Sequence, residues 1–188
     1  MRFKRILLNI SVLLIIFMAL SVLIGCVQGF ATPEEALEDH RLNGFGFDFD
    51  ARNYEIQTHF TTVHFEESAV MVFLARSNNL MMIHFPRNQR NQTFSALTVS
   101  RIDLSDEFWI DLLEREDANW GAWLNANTTI ARALNFSPRQ AYVNGIPAET
   151  IRFEVTDSNG ITHNVQFWYK ELQGRNAQFT VEYRDIVD

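Results

Sequence analysis

At 188 residues the chain has room for one domain, and 47% apolar with 13% aromatic residues excludes a disordered or low-complexity polypeptide. All 23 acidic residues follow position 25, whereas Arg2, Lys4 and Arg5 precede it; the part beyond has 13 basic side chains and a formal charge of −10. Such a surface speaks against electrostatic binding of nucleic acid, and the one cysteine excludes an internal disulfide.

Met1–Arg5 is a basic leader, followed by an apolar run, Ile6–Ile24, interrupted only by Asn9, Ser11 and Ser21. The run is longer than a usual signal-peptide core and just long enough to span a bilayer, so an uncleaved anchor stands beside an export signal. Its end, Leu23-Ile24-Gly25-Cys26, resembles the lipobox of bacterial lipoproteins. The resemblance implies that residues 1–25 are a cleaved signal peptide and that the Cys26 thiol receives diacylglycerol. Residues 26–33 are then the lipidated cysteine and a short tether, and 34–188 a single extracytoplasmic domain held to the cell membrane. The other reading of Cys26 is a free thiol in a plain anchor, which also exports the domain.

Thr32-Pro33-Glu34-Glu35 reads as an N-cap, a proline at the first helical position and acids in the first turn. Strand patterns follow at Tyr54–Phe65, Ala69–Arg76, Leu80–Phe85 and Thr93–Arg101, and their short connections predict antiparallel neighbours. Ser105 then looks like the N-cap of a helix beginning at Asp106 with an apolar stripe of Phe108, Trp109, Leu112 and Leu113. Trp120, Trp123 and Leu124 either extend that stripe or follow a break near Asn119, since Gly121 weakens a single long helix. Thr128–Asn135 is ambiguous between a helical turn and a strand. Ile151–Thr156 and Ile161–Lys170 alternate across the turn Asp157-Ser158-Asn159-Gly160 and predict a hairpin, and a last strand places Phe179, Val181 and Tyr183 on one face. The expected class is α+β, an antiparallel sheet with one or more helices packed on it.

The order strands, helix, Val143-Asn144-Gly145-Ile146-Pro147-Ala148 and then a three-strand meander resembles the PsbP/Mog1-like fold over roughly Thr98–Tyr183. That resemblance implies an antiparallel sheet with helices on it and a non-enzymatic accessory or binding role.

Chemistry is sparse. His59 and His64 are an odd number apart and point to opposite faces of a regular strand, and His163 shares the inward register of Ile161 and Val165, where a hydrogen-bonded core imidazole is expected. No metal site or cofactor is predicted. Asp48 and Asp50 share a strand face but lack the further oxygen ligands and the turn of a calcium loop. Asp106, Asp111 and Glu114 belong to an acidic run on the proposed helix that is either a solvated face or a docking surface for a basic partner. Trp168 stands in the register of Thr162, Gln166 and Lys170, which aims it away from the main core. Either a helix or the tether covers it, or it is an exposed anchor for a ligand or partner with those three residues as neighbours. The expected role is a non-catalytic binding or accessory module for an envelope protein or small ligand. The alternatives are a hydrolase acting on envelope material and an assembly factor for a membrane complex. A concave pocket gathering carboxylates or a histidine favours the hydrolase, and a flat apolar patch around Trp168 favours binding.

Overall fold

The structure, a computed structural model, describes residues 29–43, 51–95, 98–115 and 120–186. Cys26 with the leader before it, the Gly44–Asp50 segment, and Glu116 and Asp117 lie outside the described residues. The fold is α+β and mainly antiparallel, as the pattern predicts.

Helix α1 (Pro33–Asn43) begins where Thr32 accepts from the Glu35 N–H at 3.2 Å, while the Glu35 carboxylate accepts from the Ala31 N–H at 3.0 Å. Reciprocal bonds of this kind satisfy the donors that a helix start leaves open. After a 3-10 turn at Ala51–Tyr54, strands β1 (Ile56–His64), β2 (Ser68–Ala75) and β3 (Asn79–Asn88) run as a meander. The fourth predicted strand is two: β4 (Thr93–Phe94) and β5 (Thr98–Asp103) both pair with β3. Helix α2 (Glu107–Glu114) is capped by Asp106 and not by Ser105: the Asp106 side chain accepts from the Phe108 N–H at 3.0 Å, whereas Ser105 donates to Asp103.

The aromatic stripe does not continue past α2. Arg115 is already extended, and β6 (Trp120–Leu124) pairs with β7 (Thr128–Asn135). Next come β8 (Gln140–Val143) and β9 (Ile146–Pro147), joined by Asn144 and Gly145, both at positive φ, as a two-residue hairpin turn requires. The predicted hairpin is β10 (Glu149–Thr156) and β11 (Thr162–Gln173). The last strand, β12 (Val181–Arg184), turns away from it and pairs with β8, so the expected three-strand meander does not form.

Four layers result. The first sheet, β1 to β5, turns Val70, Val72, Leu74, Leu80 and Met82 towards Ile130, Leu134, Val155, Val165 and Phe167 of the second, ordered β10-β11-β7-β6. Its other face, with Met71, Phe73, Met81, Ile83 and Phe85, is covered by Ala36 and Leu37 of α1. The outer face of the second sheet, with Ala131, Ala133 and Trp168, is covered by the small third sheet, β12-β8-β9. Strands β2 and β11 are therefore buried on both faces through Ser68–Ala75 and Val165–Trp168, and read as continuous runs.

Candidate functional site

Trp168 is completely buried, which corrects the reading of an exposed anchor. Its cover is neither a helix nor the tether but the third sheet, and its indole N–H donates to the Tyr183 hydroxyl at 2.9 Å. Gln166 beside it is also buried, donating to the Arg139 carbonyl at 3.0 Å and accepting from Arg152 at 3.1 Å. Lys170 is half-buried and reaches the Pro147 carbonyl at 3.4 Å. The polar register of β11 is thus a second packed face, with no surface for the four residues to share.

Two of the other predicted residues do meet. Glu114 of α2 and Thr162 of β11 line an open depression of about 640 Å³, together with Phe136, Ser137, Pro138, Arg139, His163 and Asn164. Asp106 and Asp111 are exposed on α2 outside it, the first serving as the helix cap.

His163 is the best-defined group there. The turn before β11 is built by Asp157, whose Oδ1 accepts from the backbone N–H groups of Asn159 at 2.8 Å and Ile161 at 2.9 Å, with Gly160 at φ +81° closing it. The other oxygen, Oδ2, accepts from His163 Nε2 at 2.9 Å, and Phe136 stacks on the imidazole at 4.7 Å. One carboxylate thus shapes the hairpin and fixes the ring. The bond from His163, then those from Ile161 and Asn159, hold the Asp157 carboxyl below its ordinary value. Nδ1 is left without a partner among the described residues, so it can accept a hydrogen bond from a ligand in the depression. Sequence reasoning placed His163 as a hydrogen-bonded core imidazole, which fits its Asp157 bond and 14% exposure. It treated Asp157 only as a turn residue; the available signal was an Asp-x-x-Gly turn with an inward-facing histidine beyond it.

A second polar cluster lies between the sheets. His84 of β3 is buried and stacks on Trp123 of β6 at 5.0 Å, with its Nε2 3.2 Å from Asn125 Oδ1. Burial, followed by the Arg132 charge, outweighs that bond and pushes the imidazole down to about 4. The Arg132 guanidinium lies over the Trp123 ring at 4.6 Å, and burial lowers its pKa to about 10, so it remains a cation at neutral pH. Asn125 continues the cluster to Ser68 and Thr128, and the buried Glu67 accepts from Gln89, Asn127 and Thr128, joining the β1–β2 turn to the β6–β7 turn.

Among the described residues no group of three or more His, Cys, Asp or Glu side chains has the arrangement of a metal site. No described helix is long and apolar enough to cross a membrane. No family model, no curated protein and no solved structure matches the chain.

Proposed function

We propose that this chain is a bacterial lipoprotein, anchored at Cys26, whose domain binds a small polar ligand or a segment of an envelope protein without catalysing a reaction. The observation that carries the binding reading is the depression itself, lined by Glu114, Arg139, the oriented imidazole of His163 and the Phe136 ring that stacks on it. A carboxylate, an acceptor nitrogen and an apolar ring select a ligand by orientation as well as by area. The Leu23–Cys26 motif supports the anchor. Two or three acyl chains hold a protein firmly where one binds marginally, and a domain of charge −10 gains nothing from anionic lipid.

Hydrolysis is the second reading, favoured by the Asp157–His163 pair, which is the arrangement of an oriented general base. Two features weigh towards binding. Among the described residues His163 hydrogen-bonds to Asp157 alone, the Ser137 and Thr162 hydroxyls line the depression without bonding to the imidazole, and Glu114 is the one carboxylate in the lining.

The test is a photo-reactive amino acid placed at Thr162 in the full-length protein in native cells, with one at exposed Arg90 as control. Adducts specific to position 162 are expected, and equal labelling from both positions would refute binding at the depression. Turnover of envelope fragments by the purified protein, abolished in His163→Asn, would establish the hydrolase instead. Cys26→Ser should abolish lipid labelling and leave the precursor uncleaved; normal processing of that variant would remove the anchor.

A further inference from the structure

Arg132 is a mostly buried cation with no anion beside it among the described residues. Its Nε–H is buried without an acceptor, its Nη2 makes one long bond of 3.4 Å to Ser100 Oγ on the opposing sheet, and no carboxylate among the described residues pairs with it. Glu67, the buried carboxylate of the same inter-sheet layer, is taken up by Gln89, Asn127 and Thr128. Trp123, beneath the guanidinium and 4% exposed, likewise has a buried indole N–H with no acceptor among the described residues.

Leaving a charge and two donors unmet in an interior costs free energy, and native proteins nearly always avoid it by supplying the partner from their own chain. Here the stacking of guanidinium on indole returns only part of that cost. His84, stacked on the same indole and neutral above its low pKa, supplies no negative charge. What the constellation lacks among the described residues is an acceptor with a negative charge. The pair lies at the side of the sandwich: β5 and β6 are edge strands of separate sheets, Arg132 reaches Ser100 on β5 and lies over Gly121 on β6, and the Arg132 residue is partly exposed although its Nε is not.

We propose that Arg132 and Trp123 form a binding site for an oxyanion group, a carboxylate or phosphate carried by a small ligand, at the β5–β6 edge of the sandwich. The site is distinct from the depression at His163: the two share no lining residue. Arg132 supplies the charge and the Nε–H donor, and Trp123 the second donor and the flat surface on which the guanidinium is held.

The experiment is a titration of the full-length protein in detergent with inorganic phosphate and, separately, acetate, each at constant ionic strength made up with chloride. Thermal midpoint and tryptophan fluorescence are read together. The wild type should show a saturable rise in midpoint with at least one anion; a response to phosphate alone or to acetate alone tells which group the site takes. Trp123→Phe, which keeps the ring but removes the N–H, should weaken the apparent affinity about tenfold, the order expected for one bond to a charged acceptor. Arg132→Met should abolish the response and, without anion, melt no lower than the wild type, because an uncompensated charge has been removed. The absence of a saturable response in the wild type, or an unchanged response in Trp123→Phe, would overturn the proposal. The Trp123 variant keeps the test decisive even where Arg132→Met fails to fold.

Discussion

The two faces of the β10-β11-β7-β6 sheet each bury a tryptophan, and the two are finished differently. On the outer face Trp168 packs against Ala131, Ala133, Ala141 and Val143, and its N–H is met by Tyr183, whose hydroxyl also accepts from Asn135 at 2.9 Å. On the inner face Trp123 lies under a guanidinium with its own N–H unmet among the described residues, next to a histidine that burial keeps neutral. A buried aromatic whose polar atom is satisfied is architecture, because every interaction it makes is already made in the unliganded chain. One whose neighbours carry an unmatched charge and unused donors holds binding energy in reserve. Partner count, and not exposure, separates the two.

The largest effect should come from emptying the satisfied face. Trp168→Ala is expected to cost ~3–5 kcal/mol in chemical denaturation, the range for removing a large buried aromatic. A loss below 1 kcal/mol would mean that the third sheet does not hold the indole, and the comparison would fail on its structural side.

Acidification tests the other face. His84 is held at about 4, first by burial and then by the Arg132 charge, against 6.5 for the free side chain. Above 6.5 it is neutral in both folded and unfolded chains and its contribution is complete. As the pH falls from 6.5 to 4 the unfolded chain takes the proton first, and stability declines by up to about 3 kcal/mol. Urea unfolding as a function of pH should show this decline, and His84→Gln should flatten it; the same slope in the variant would assign the acid sensitivity to other groups.

Tyr183→Phe sharpens the contrast by giving Trp168 the unmet N–H that Trp123 already has. It should cost about 1–3 kcal/mol, the usual penalty for orphaning a buried donor, measured by the denaturation midpoint. The smallest effect lies outside both faces. Asp106→Ala removes the cap of α2 and should lower stability by ~1 kcal/mol, whereas Ser105→Ala, at the residue the sequence suggested as the cap, should cost less.

Much of the fold was legible because local rules act over short distances. The Thr32 cap, the alternation in β10 and β11, the Asp157–Gly160 turn and the short connections of β1 to β3 were readable from residues a few positions apart. Where a distant segment decides, one reading failed and two had been left open. Trp123 sits in a helix-like spacing after α2, yet pairing with β7 makes it part of a strand. β12 reads as the third strand of a meander, and only the free edge of β8 draws it away. Trp168 stands among polar residues, and its burial depends on a sheet built from residues 140–147 and 181–184. Of the candidate site, the sequence named Glu114, Thr162 and His163 separately; that Glu114 and Thr162 share one depression with Arg139 follows from how α2 packs beside the hairpin.

The sequence alone determined the expectation of a lipid anchor at Cys26, the α+β class and the antiparallel hairpins, because a processing motif and a two-residue periodicity are properties of neighbouring residues. Only the tertiary structure decided which register of β11 is covered, that Asp157 holds His163, and that Arg132 lies mostly buried with no counter-charge among the described residues. Burial and charge compensation are set by groups tens of residues away, and no local pattern records whether such a group arrives.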